Sequence, residues 1–111
     1  MDGQSFLSVQ FAALGDPTRF AIVQRLAGGD LSVSDLARPF ALSQPTITNH
    51  LNVLERAELI ERRKVAQSRI CSLKPGAFEA LAQCLGAIGQ QWSSKLDRLA
   101  SYDDLVTKRE K

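Results

Sequence analysis

The sequence predicts a mostly helical domain carrying one small β-hairpin. Apolar residues recur at helical spacing in five stretches, and the period turns strand-like only after Leu59. Glycine and proline punctuate the joins, at Gly15, Gly28-Gly29 and Pro75. A chain of 111 residues, 44% of them hydrophobic, reads as a single domain over residues 1–111 with a small core. Such a core gains from oligomerisation. No apolar run approaches the roughly 18 residues of a membrane span. The opening MDGQSFLSVQF has no basic start, so a secretory signal is not expected. Two cysteines make no disulfide framework, and a cytoplasmic location follows.

The first helix is expected over Ser5 to Leu14, with Phe6, Leu7, Phe11 and Leu14 at near-helical spacing. Gly15 breaks it. Asp16-Pro17 starts the second, with Asp as N-cap and Pro pre-set for the first turn. Phe20, Val23 and Leu26 give it an inner face, and Gly28-Gly29 end it. Ser32-Val33-Ser34-Asp35 resembles a capping box with Asp in place of Glu. Leu36, Ala37 and Phe40 should pack inward from this short third helix, and Pro39 should stop it.

Ser43 to Leu59 is the most informative stretch. Ser43 is a good N-cap, and Pro45 fits a first turn whose amides have no partner in the helix. Ile47, Leu51 and Leu54 form an inward stripe. The opposite face carries Pro45, Thr48, Asn49, Asn52 and Arg56, with Gln44 and Thr46 at the open end. Its first two turns hold no carboxylate. Amide and hydroxyl groups that donate and accept are what reading base edges requires. A plain solvated face has the same composition, so both readings stand at this point. A short helix, a turn and a polar-faced helix is the helix-turn-helix order, here over residues 32–58.

Leu59 to Lys64 and Arg69 to Leu73 read as two strands joined by Val65-Ala66-Gln67-Ser68, together residues 59–73. Arg62, Arg63, Lys64 and Arg69 make the rim basic. Such a hairpin can lie against phosphates, or its charges can protect an edge strand from aggregation. Pro75 opens a long last helix over residues 75–102. Phe78, Leu81, Leu85, Ile88, Trp92, Leu96, Leu99 and Tyr102 form a near-heptad stripe, too apolar for so small a core to absorb. A paired helix in a dimer explains it economically.

Charge sharpens this picture. The net +2 is unevenly spread: Met1 to Ala37 is net −2, Arg38 to Lys74 net +4, and Pro75 to Lys111 neutral. Positive charge therefore sits in and after the polar-faced helix, where a nucleic-acid reader needs it.

These residues resemble the ArsR family of bacterial winged helix-turn-helix repressors. The resemblance runs through Leu14-Gly15-Asp16-Pro17-Thr18-Arg19, Leu36-Ala37, Ser43 to Leu51, Leu54, Glu58-Leu59-Ile60 and Arg62-Arg63. It implies five helices and a two-stranded wing, a homodimer through the first and last helices, and an inverted-repeat operator in double-stranded DNA. By position it places DNA contacts on Ser43, Gln44, Thr46, Thr48, Asn49 and His50, and on Arg62, Arg63 and Arg69 of the wing. The implied dimer interface is Phe6, Phe11, Leu81, Leu85, Ile88, Trp92, Leu96 and Leu99.

The departures narrow the function. Metal-sensing members carry a Cys-Val-Cys motif in the third helix, where this chain has Ser32-Val33-Ser34. Hydroxyls do not replace thiolates for soft metals. The alternative site needs histidines, and the only one is His50. No metal or other cofactor is expected. The wing also lacks the family's usual glycine. Cys71 and Cys84 remain as candidates for a thiol switch of the kind some relatives use, although buried thiols are usually inert. A winged helix serving protein contacts is a third reading. One histidine, no phosphate loop and no nucleophile–base pairing argue against an enzyme.

Overall fold

The computed structural model describes the backbone of residues 3–109 and side chains from Phe6 to Tyr102. The elements are α1 (Gly3–Leu14), α2 (Pro17–Ala27), β1 (Leu31–Ser32), α3 (Val33–Ala37), α4 (Gln44–Arg56), β2 (Ile60–Val65), β3 (Ser68–Leu73) and α5 (Ala77–Arg109). They form two compact units, Met1–Phe78 and Glu79–Lys111.

Capping sets the helix starts as the sequence predicts. The Asp16 carboxylate accepts from the amides of Thr18 (2.9 Å) and Arg19 (3.1 Å), ahead of Pro17. Ser32 Oγ accepts from the Asp35 amide at the head of α3. Ser43 Oγ accepts from the Thr46 amide at the head of α4. Gly28 closes α2, and Gly29 takes φ 143, a conformation open to glycine.

The core of the first unit is built on α4. Ile47, Leu51 and Leu54 have no exposed surface, and Ile22, Leu26, Leu36, Leu59, Ile60 and Cys71 close around them. Gln10 ties α1 in: its side-chain amide donates to the Ala57 carbonyl at 3.0 Å, a buried bond that satisfies the end of α4. Arg25 does the same for α3, donating to the carbonyls of Asp35 (3.1 Å) and Leu36 (2.7 Å).

The chain leaves α4 through a Schellman turn. The Leu59 amide donates to the Leu54 carbonyl and the Glu58 amide to the Glu55 carbonyl. Glu58 sits at φ 58, where glycine is usual. Its carboxylate meets Lys74 Nζ at 3.2 Å. This turn passes directly into β2, so α4 and the hairpin are joined with almost no slack. The hairpin pairs Ile60 with Leu73 through Val65 with Ser68, and Ala66 takes φ 56 at its tip.

Several expectations are corrected. Phe20 is 50% exposed, and Ile22 takes the inward position on α2. Helix α4 ends at Arg56, before Glu58. A third strand, β1, pairs with β3 through Leu31–Cys71 and Ser32–Ile70, so the sheet order is β1-β3-β2. Pro75 does not begin the last helix. It occupies the second position of a type II turn, with Gly76 at φ 83 and the Ala77 amide donating to the Lys74 carbonyl.

In the second unit, α5 exposes Leu85, Ile88, Trp92, Leu96, Leu99 and Tyr102, while Leu81 near its start is buried. Lys95 Nζ lies 5.8 Å from the Trp92 ring.

The burial pattern makes a paired prediction. Leu51→Ala should cost about 2–5 kcal/mol by opening a cavity in the core. Phe20→Ala should cost under about 1 kcal/mol, within the range of surface substitutions. Urea unfolding of both variants checks this.

Candidate nucleic-acid interface

Because Ile47, Leu51 and Leu54 face the core, geometry turns Pro45 and Asn49 outward, while Gln44 is exposed as the first residue of the helix. Thr48 and Asn52 flank this face and are half-buried. Ser43 Oγ and Thr46 Oγ1 share a hydrogen bond of 2.8 Å, which orders the first turn. The first turn of α4 carries no acidic residue. A cleft opens between α4, the start of α3 and the hairpin, lined by Ser34, Gln44, Thr48, Arg62 and Arg69 among others.

The basic residues of the hairpin divide into two groups. Arg62 is held by protein. Its Nε donates to Glu55 Oε2 (3.2 Å), and its Nη2 donates to Glu55 Oε1 (2.8 Å) and Asn52 Oδ1 (2.7 Å). Its side chain is only 15% exposed. The Glu55 carboxyl is held below the usual carboxylate range, chiefly by its hydrogen bond to Arg62. Arg63 points elsewhere, donating to Asp30 Oδ2 (3.0 Å) and Ser72 Oγ (3.2 Å). Lys64 and Arg69 are exposed and stand opposite each other across the hairpin. Among the described residues neither makes an ion pair. Arg69 acts on Glu55 only as a more distant charge.

His50 lies on the inner side. Its Nδ1 is 3.4 Å from Arg19 Nη1 and 3.8 Å from Asp16 Oδ2, so the ring packs against the start of α2. Arg19 Nε also donates to the Ala13 carbonyl. The Asp16 carboxyl is held low, first by the Arg19 amide.

Of the residues marked out by sequence, the structure brings Gln44, Thr48, Arg62 and Arg69 to one cleft, while Asn49 lies on the outer side of α4 and Ser43 and Thr46 order its first turn. It gives Arg62, Arg63 and His50 partners within the protein. Sequence reasoning missed Glu55 and the use of Asn52. Helical periodicity did not reveal their pairing with Arg62, because it crosses from a helix to a strand.

The remaining candidates fall in different units. The Cys71 thiol is fully buried in the first unit, and burial pushes its pKa up, which disfavours the reactive thiolate. Cys84 belongs to the second unit and is half-buried. Among the described residues, no group of three or more His, Cys, Asp or Glu side chains is placed to hold a metal. Ser32 Oγ is occupied as a helix cap. No helix among the described residues is long and apolar enough to cross a membrane.

A cap-defined helix-turn-helix followed by a basic hairpin is the architecture of a winged-helix regulator. Residues 14–63 match the family model described as a helix-turn-helix domain. The chain is 33% identical over 82 residues to the arsenical resistance operon repressor of Staphylococcus xylosus, covering 74% of this chain and 79% of that one. It superposes on the ArsR-like transcriptional regulator from Rhodococcus sp. RHA1 with a TM-score of 0.71 at 32% identity, covering 86% of this chain and 91% of the other. The chain belongs to the ArsR family of transcriptional regulators. It is also 45% identical over 69 residues to the HTH-type transcriptional regulator Rv2034 of Mycobacterium tuberculosis, a match over 62% of this chain and 64% of that protein. The chain thus spans less than two thirds of that relative's length.

The Glu55–Arg62 pair should leave a mark on acid stability. A carboxyl whose folded pKa is depressed contributes stability at neutral pH, and that contribution is lost as pH falls through its folded value. Arg62→Ala should flatten the acid limb of the stability curve below about pH 4.5, the ordinary glutamate range. Denaturant titrations from pH 7 to pH 3 check this.

Proposed function

We propose that this chain is a homodimeric, sequence-specific DNA-binding repressor of the cytoplasm, acting on an inverted-repeat operator without a metal. One observation carries the reading. The outward face of α4 offers Gln44, Thr48 and Asn49 with no acid beside them, and the hairpin sets Lys64 opposite Arg69 next to that face. Like charges directly opposite each other destabilise a hairpin. A phosphate backbone between or beside them removes that penalty.

The roles follow from placement. Asn49, with Gln44 and Thr48 beside it, reads base edges, while Ser43 and Thr46 order the first turn against the backbone. Arg69 and Lys64 meet phosphate. Arg62, Arg63 and His50 support these groups from behind. Repression is the role that the Staphylococcus relative carries in its name. Metal independence is supported by Ser32 and Ser34, which stand where soft-metal sensors need thiolates.

Dimerisation is supported by α5. Leu85, Ile88 and Trp92 are 57%, 59% and 56% exposed, and Leu96 and Leu99 continue the same stripe. A continuous apolar surface of this kind marks an interface. Phe6 and Phe11 of α1 are half-buried, and the family resemblance assigns them to the dimer interface as well. The double variant Leu85→Asp/Ile88→Asp should sediment as a monomer at micromolar concentration where the native chain sediments as a dimer. A monomeric native chain would refute the interface.

DNA binding separates the helix from the wing. Asn49→Ala should lose about 1–3 kcal/mol on a duplex selected by the protein from a random pool, and much less on a scrambled duplex. Arg69→Ala should weaken both equally and lower the salt slope by about one. Equal loss on both duplexes for Asn49→Ala would overturn the assignment of bases to the helix.

A further inference from the structure

We infer that Glu55 is a specificity-determining residue: by binding Arg62 across the joint between α4 and β2, it withholds that arginine's charge from DNA phosphate. The inference rests on the DNA-binding reading above and adds a residue that neither the wing's basic pattern nor the polar face of α4 points to.

The geometry is that of a closed ion pair. Glu55 presents both carboxylate oxygens to Arg62, one to Nε and one to Nη2, and Asn52 Oδ1 takes Nη2 as well. Two-point guanidinium–carboxylate pairing is stronger and more directional than a single contact. Arg62 is also sheltered, with Ile60 buried on the same face of β2 and Cys71 opposite it in the ladder. Reaching a phosphate would mean breaking three hydrogen bonds and leaving Glu55 facing the duplex unpaired. The contrast lies two residues on. Lys64 shares Arg62's face of the strand, pairs across to Arg69, and has no acid within ion-pair distance among the described residues. The wing thus carries a neutralised cation at its base and free cations near its tip.

This matters because phosphate contacts add affinity for every sequence alike, whereas base contacts discriminate. A free Arg62 would strengthen binding to random DNA about as much as to the operator. Glu55 removes that contribution, and the same bonds fix the wing's angle to the reading helix.

The test is a charge cycle on the full chain, read as salt dependence on a pool-selected duplex and a scrambled one. Glu55→Gln keeps the shape but frees the charge. It should steepen the salt slope on scrambled DNA by about one, making the salt penalty between 50 and 200 mM roughly three- to fourfold larger, and should tighten scrambled-duplex binding at low salt. The double variant Glu55→Gln/Arg62→Gln, with an amide pair and no charge, should return the slope to native. Circular dichroism at the assay temperature confirms that each variant is folded, and Asn52→Ala gives a milder opening of the same pair. The inference is overturned if the double variant lowers the slope by one below native, which would place Arg62 on phosphate, or if Glu55→Gln leaves the slope unchanged. Native protein showing no salt-dependent binding to either duplex would instead overturn the DNA-binding reading beneath it.

Discussion

Burial of one face of α4 is the constraint on which the rest of the first unit depends. Ile47, Leu51 and Leu54 are each fully buried, and each is worth roughly 1.5–3 kcal/mol when taken from water. With that row fixed inward, helical geometry leaves no choice about where Asn49 points. Several hydrogen bonds hold this helix and its neighbours in register. Ser43 caps its start, Gln10 satisfies its end, and α3 is clamped beside it by Arg25. An outward face built this way is rigid before any ligand arrives, so little ordering cost remains at binding.

The joint after α4 carries this rigidity into the hairpin. A Schellman turn through Glu58 gives the chain no flexible linker, and the Glu55–Arg62–Asn52 bonds brace the two sides of it. A left-handed glutamate is a costly choice where glycine would serve, and its bridge to Lys74 offsets only part of that cost, since exposed pairs contribute little. The wing is therefore positioned as an extension of the helix. That arrangement leaves Asn49 on α4 and Lys64 and Arg69 near the hairpin tip exposed, while Asn52, Glu55 and Arg62 between them hold the angle.

Much of this was legible in the sequence, because its signals are local. Asp16-Pro17, Ser32 and Ser43 announce helix starts through hydrogen bonds made within three residues, and all three cap as their chemistry requires. The inward row of α4 follows from spacing alone. What escaped was non-local. Strand β1 is two residues long and exists only because β3 lies beside it. Phe20 fits an inward spacing as well as Ile22 does, and only the packed neighbours decide between them. The fate of Arg62 and Arg63 depended on Glu55 and Asp30, seven and 33 positions away. A run of basic residues announces charge in a sequence, but only the structure reveals which charges are already neutralised.

The most direct test of this account is to follow the protein's amide, side-chain amide and guanidinium resonances by NMR as a selected duplex is added. Large shifts are expected at Gln44, Thr48, Asn49 and Arg69, with the Arg62 Nε–H resonance staying where its bond to Glu55 holds it. Large shifts confined to the exposed face of α2 around Phe20, with α4 silent, would contradict it.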